Sequence, residues 1–267
     1  MLTEQQIDQF NTFGFLILPQ WFNLAEVATI EQECEQGFAA AYPDKPFDGS
    51  KRYWTTLMGP GTPLTRGLLE DERFYRAAQQ LYGEDVLGIM TDANRYVGHT
   101  RWHPDNDANP AKDPYGVKFA YYLDPVDAQS GALRVVPGSH KYPLHQEVGD
   151  TIKRSGLDIL DVPSYVCRSQ PGDVVAFDLR LWHASWGGSA GRRMCTVVYL
   201  HNPTTAQEET GLRDFASRFV TTNRYFDRPN EPMYHPDWLE NREDSALRRR
   251  WIQRLGEMGF LAAPSTG

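Results

Sequence analysis

The opening of the chain places apolar residues at helical spacing. Thr3-Glu4-Gln5-Gln6 has the spacing of a capping box, with Leu2 and Ile7 set as a hydrophobic staple, so a helix is expected from here to Gly14. Asn23-Leu24-Ala25-Glu26 repeats the cap, and Val27, Ile30, Cys34 and Phe38 then recur on one face. Beyond a Pro/Gly/Asp-rich stretch over 43–49, Arg66 to Tyr82 carries a third amphipathic pattern, with Leu68, Leu69, Phe74, Ala77 and Leu81 on its apolar side. From Val86 the texture changes to short β-branched and aromatic runs separated by Gly, Pro, Asn and Asp. These predict strands near 86–97, 116–124, 131–136, 163–168, 173–183 and 192–201. Successive strands without helical crossovers predict a mainly β fold, an antiparallel sandwich or barrel with the jelly roll as the favoured variant. Helix and loop return over Asp214–Leu261, and the run Arg248-Arg249-Arg250 reads as a solvated helix face. The expected organisation is one domain over 1–267: a helical part over 1–85, a β core over 86–201, and a C-terminal helical and lid segment over 202–267.

Composition narrows the function classes. With 27 basic and 35 acidic residues the net charge is −8, which argues against nucleic acid as a partner. No apolar run is long enough to span a bilayer, so no membrane association is expected. The three cysteines, Cys34, Cys167 and Cys195, are far apart and form no C-x-x-C pair, which indicates neither a disulfide framework nor a thiolate zinc site. No basic or apolar leader precedes Thr3, so no secretory signal is read and a cytoplasmic location is expected. Oligomeric state is not legible.

Seven histidines raise the question of a metal site. Three H-x-[DE] pairs occur: His103-Pro104-Asp105, His145-Gln146-Glu147 and His235-Pro236-Asp237. Among so many acidic residues about one such pair arises by chance, so context decides. A facial triad of two histidines and a carboxylate needs two neighbouring ligands at a strand end and a third from a later strand. His103 and Asp105 follow the 86–97 strand closely, and His183 closes the strand expected over 173–183, on the period-2 face it shares with Val175, Phe177, Leu179 and Leu181. His235 has no later histidine, and His145 lies in a loop away from any strand end. Ser185 follows His183 by two, and after a Gly-rich turn the next strand opens with Arg192 and Arg193. An arginine fork at a barrel mouth suits a carboxylate bidentately.

Four blocks, in order, resemble the phytanoyl-CoA dioxygenase family of Fe(II)- and 2-oxoglutarate-dependent oxygenases: Leu2 through Pro19, Trp102-His103-Pro104-Asp105, Gly131 through His140, and Gly172 through Trp182-His183-Ala184-Ser185 to Arg192-Arg193. The resemblance implies a double-stranded β-helix, the jelly-roll form, with helices packed outside. It implies iron held by His103, Asp105 and His183, and a 2-oxoglutarate arginine about eleven residues beyond the distal histidine. The turn here is one residue short, which favours Arg193 and leaves Arg192 as the alternative. Ser185 matches a position that hydrogen-bonds the cosubstrate in relatives. Lys118, a charge on an apolar strand, reads either as reaching the cosubstrate or a substrate anion, or as snorkelling outward. The implied chemistry uses O₂ to convert 2-oxoglutarate to succinate and CO₂ while attacking an unactivated C–H bond. Related halogenases lack the carboxylate ligand; Asp105 is present, so hydroxylation or desaturation is favoured. Asp107 reads as a solvated loop residue.

For a small-molecule substrate, Asn94, Tyr96, Tyr122, Trp186 and Tyr234 are candidate pocket residues, with Trp54 and Met58 beside them. An aromatic-rich segment over 223–235 reads as a lid. Competing readings are a cupin-like metal-dependent hydrolase or isomerase, and a jelly roll that binds a ligand without catalysis.

Overall fold

The computed structural model describes all residues except 110–112, 189, 227, 229–233, 260 and 262–267, and the side chains of 218–224 also lie outside the description. Both expected capping boxes form. Helix α1 (Glu4–Phe13) starts on Thr3 and stops at Gly14, whose φ of 82° provides the left-handed cap. Strand β1 (Phe15–Leu18) follows at once, and Asn23 caps α2 (Leu24–Ala41). After β2 (Tyr53–Thr56), the helix expected over 66–82 is two helices, α3 (Pro63–Gly67) and α4 (Glu72–Tyr82). The break has a local cause: the Asp71 carboxylate accepts from the Arg73 amide and starts α4 afresh.

The middle of the chain contributes β3 (Leu87–Tyr96), β4 (Thr100–His103), β5 (Gly116–Tyr122), β6 (Ser130–Val135), α5 (Leu144–Ser155), β7 (Tyr165–Cys167), β8 (Val174–Asp178), β9 (His183–Gly187) and β10 (Arg192–Leu200). Helices α6 (Ala206–Tyr225), α7 (Pro236–Glu240) and α8 (Ala246–Glu257) close it. The strands form two antiparallel sheets, one of six strands in the order β1-β8-β5-β10-β3-β2 and one of four in the order β4-β9-β6-β7. Helices cover one face of the larger sheet, where Phe74, Phe119, Tyr199 and Trp251 pack together. Its other face meets the smaller sheet across Leu133, Val175, Phe177 and Met194. No helix among the described residues is long and apolar enough to cross a membrane.

One strand expectation is corrected. The run over 173–183 is not a single strand: β8 ends at Asp178, and His183 begins β9 in the other sheet. Asp178 makes the turn. Its buried carboxylate accepts from the Arg180 amide and Nε, both at 2.8 Å, and from the Tyr82 hydroxyl, while its carbonyl accepts from Leu181 N at 2.9 Å. The Asp178→Ala variant would leave Arg180 and Tyr82 without this partner in a mostly buried setting. A loss of about 3 kcal/mol in urea unfolding is expected; unchanged stability would refute the role given to this turn. A second correction concerns His145, which sits in α5 rather than in a loop.

Candidate active site

The turn at Asp178 delivers His183 to the start of β9, where it pairs across the sheet with His103 at the end of β4. The ring centroids are 4.3 Å apart. Asp105 lies just past β4, its Oδ1 at 3.9 Å from Nε2 of each histidine. One donor atom from each residue falls within 4.8 Å of the other two, the one such group among the described residues. Backbone carbonyls fix both rings. His103 Nδ1 contacts the Arg101 carbonyl at 2.7 Å and His183 Nδ1 that of Leu181 at 2.9 Å. A carbonyl only accepts, so each Nδ1 carries the proton and each Nε2 presents its lone pair to the centre.

Electrostatics favour the liganding forms. Burial, and then the adjacent His103 ring, push the His183 imidazolium down to about 3, so the ring is neutral at physiological pH. Burial alone would raise the Asp105 carboxyl, but Lys118, ahead of the two imidazoles, holds it well below the usual carboxylate range. Lys118 thus points inward: its Nζ donates to Asp105 Oδ2 at 2.6 Å, leaving Oδ1 turned to the imidazoles. Two imidazole nitrogens and one carboxylate oxygen are the donor set of a non-haem ferrous site.

The triad lines a cavity of about 380 Å³ between the sheets. Arg192 enters the same cavity, 5% exposed, and its Nη2 donates to Ser185 Oγ at 3.3 Å. Its guanidinium carbon lies 4.9 Å from the Tyr96 ring centroid. Its Nη1 reaches the Gly98 and Gly187 carbonyls, both at 3.4 Å, but among the described residues no carboxylate pairs with it and its buried Nε has no partner. An ionised buried group left this way is costly unless an anion completes it. Glycines make its room. A Cβ on Gly131, at φ +90°, would sit 1.7 Å from Arg192 Nη1, and one on Gly188, at φ +89°, 2.1 Å from the same atom. A buried guanidinium without a counter-ion, reached from a histidine–carboxylate triad, fits a dicarboxylate that also binds the metal.

The expectation for Arg193 is corrected. Its side chain leaves the opposite face of β10, where Nη2 donates to Asp124 Oδ1 at 2.8 Å and to Glu31 of α2 at 3.0 Å. Side chains alternate along β10: Arg192, Met194, Thr196 and Val198 face the cavity, and Arg193, Cys195, Val197 and Tyr199 face the helices.

Of the substrate candidates, Asn94, Tyr96, Tyr122 and Trp54 line the cavity. Trp186 does not; it packs on the outer cluster around Trp102 and Ile159. Tyr234 is also displaced, stacked on Trp238 with centroids 5.5 Å apart, because His235 caps α7 and draws the segment onto the helical layer. Met58 is buried beside Thr91 instead. The lid expectation falls largely on residues outside the description; of that segment, Phe226 lines the cavity and Tyr225 is exposed. Asp107 is engaged in its loop, accepting from the Asn109 amide at 2.8 Å. The sequence reading passed over Arg52, Asp92, Thr100 and Thr196, all cavity-lining. A signal existed for Asp92: a carboxylate inside the apolar run of β3, at period two with Asn94 and Tyr96.

Comparison with known proteins agrees with this geometry. Ectoine dioxygenase of Stutzerimonas stutzeri (strain A1501) is 24% identical over 233 residues, 75% of this chain and 77% of that protein. Among solved structures, HygX from Streptomyces hygroscopicus, with nickel and 2-oxoglutarate bound, aligns at a TM-score of 0.59 and 20% identity, covering 76% of this chain and 88% of its own. EctD from S. alaskensis, with 2-oxoglutarate and 5-hydroxyectoine, aligns at 0.57 and 21%, covering 75% and 77%. At these identities the structural likeness shows the fold. The profile of the phytanoyl-CoA dioxygenase (PhyH) family matches residues 10–195, a span that holds the triad, Ser185 and Arg192. The chain therefore belongs to the phytanoyl-CoA dioxygenase family, the 2-oxoglutarate-dependent non-haem iron dioxygenases that its sequence blocks resemble.

Proposed function

We propose that this enzyme hydroxylates an unactivated C–H bond of a small-molecule metabolite, with Fe(II) held by His103, Asp105 and His183 and the far carboxylate of 2-oxoglutarate held by Arg192 and Ser185. The observation that carries the reading is the buried Arg192, without a counter-ion among the described residues, in the cavity of the triad. In this reading the two sheets are the walls of a double-stranded β-helix, with the ligands on the smaller sheet and the cosubstrate arginine on the larger. Iron and 2-oxoglutarate, when bound with O₂, supply the oxidising power for hydrogen-atom removal, and 2-oxoglutarate leaves as succinate and CO₂. The chain's own residues orient and enclose. Arg101 and Leu181 carbonyls fix the imidazoles, Lys118 holds one oxygen of Asp105, and Phe177, Leu133 and Met194 keep water from the wall behind the site. Desaturation of the substrate would need the same groups. A hydrolase or isomerase of similar fold has no use for a second, buried carboxylate anchor. Three free, buried thiols, Cys34, Cys167 and Cys195, suit a reducing cytoplasmic setting.

The test is anaerobic addition of Fe(II) and 2-oxoglutarate to the purified protein. A weak visible charge-transfer band is expected, together with succinate release when O₂ is admitted. Stoichiometric iron and 2-oxoglutarate without that band would end the proposal.

A further inference from the structure

Matching the cavity's hydrogen-bonding groups leaves one guanidinium edge over among the described residues. Asp105 is engaged by Lys118. Asp92 accepts from Trp54 Nε1 at 3.0 Å, Thr196 Oγ1 at 2.8 Å and Asn94 Nδ2 at 3.4 Å. Neither carboxylate is left for a cationic substrate group. Arg192 is taken by the cosubstrate in the function proposed above, on which this inference rests. Arg52 remains. It lines the main cavity and an adjoining cleft that also contains Lys45, Asp48 and Lys51, so it stands where the two meet. Its guanidinium carbon lies 4.1 Å from the Tyr96 ring centroid and 5.3 Å from that of Phe226. Nε and Nη2 both donate to Asn94 Oδ1. Among the described residues Nη1 has no partner and no carboxylate pairs with Arg52. Rings on the guanidinium face and an amide on the Nε–Nη2 edge leave the Nη1–Nη2 edge of this cavity-lining residue as the one with a donor unpartnered among the described residues.

We infer that Arg52 anchors a carboxylate of the substrate through this edge. The rest of the substrate then lies against Trp54 and Phe226, whose rings are stacked at 5.8 Å with an interplanar angle of 28°. The substrate class is a carboxylic acid with a flat apolar body, small enough to share about 380 Å³ with 2-oxoglutarate. A neutral acceptor would make only the weaker, uncharged bond at this edge, and a cationic group would be repelled by the guanidinium.

The experiment is saturation-transfer NMR on the protein loaded with zinc(II) and 2-oxoglutarate, with naphthylacetate and its methyl ester as paired probes. The wild-type protein is expected to bind the acid about tenfold more tightly than the ester, as one charge-assisted bidentate contact implies. In Arg52→Gln the ratio should fall to near one. Arg52→Lys, which keeps charge but not the planar fork, should recover only part of it. Equal binding of acid and ester by wild type, no binding of either, a ratio that persists in Arg52→Gln, or one that collapses in Arg192→Gln instead overturns the inference. The cosubstrate's own signals separate the two proposals: wild-type protein that takes no 2-oxoglutarate counts against the function above, whereas lost acid–ester discrimination counts against Arg52.

Discussion

Replacing His183 by alanine is expected to lower kcat/KM at least about a thousandfold, since a liganded metal contributes several kcal/mol and each 1.4 kcal/mol is a factor of ten. His183 is the most enclosed residue of the triad, its ring neutral and its Nδ1–H held by the Leu181 carbonyl, so its Nε2 lone pair already faces the centre. Without it, two donors remain, His103 and Asp105, the latter still bonded to Lys118. The fold should survive, because the ring borders a polar cavity that water can occupy; a stability change of about 1 kcal/mol or less is expected. Metal content, the anaerobic visible band and a thermal melt read the three consequences separately. Retained stoichiometric iron with an intact band would remove His183 from the ligand set. A collapsed melt would mean that its role is structural.

The second large effect distinguishes two adjacent arginines. Arg192→Gln is expected to raise the KM for 2-oxoglutarate about a hundredfold, because two charge-assisted hydrogen bonds at about 1.5 kcal/mol each are lost from a desolvated site. Arg192→Lys should recover little, since a lysine ammonium cannot fill a space shaped for a planar fork between Gly131 and Gly188. Arg193→Gln should leave that KM within about twofold, because its partners Asp124 and Glu31 lie on the helix side of β10. Its cost falls on stability. Reversal of this order, with Arg193→Gln the more damaging to cosubstrate binding, would contradict the placement of the anion site.

Much of this was written locally in the chain. The capping boxes at Thr3 and Asn23 need only side chains three residues apart, and both helices start where those residues stand. His103-Pro104-Asp105 stood out from the two decoy pairs because only it followed a strand that a later histidine could meet. Other features depended on contacts distant in sequence. The break at Asp178 is a bond to Tyr82 and Arg180, invisible to a period-2 pattern that runs on through Leu179 and Leu181. The inward position of His183 was therefore expected for the wrong reason: it opens a strand of the other sheet. The preference for Arg193 leaned on the length of the Gly-rich turn, which does not say which face of β10 a residue takes, and both faces carry apolar residues, one meeting helices and the other the cavity. The polar alternation of Asp92, Asn94 and Tyr96 on β3 carries the missing information. Tyr96 lies directly across from Arg192, and opposed residues share a face.

The two halves of the site belong to different sheets. His103 and His183 are held by paired strands of the small sheet, while Arg192 stands on the large one. In the proposed function the gap between the triad and Arg192 is therefore a caliper whose jaws are set by what is packed between the sheets, Leu133, Phe177 and Met194 among them. Trimming or enlarging those hydrocarbon spacers would retune which length of keto diacid the enzyme accepts, without touching a single polar atom that grips it.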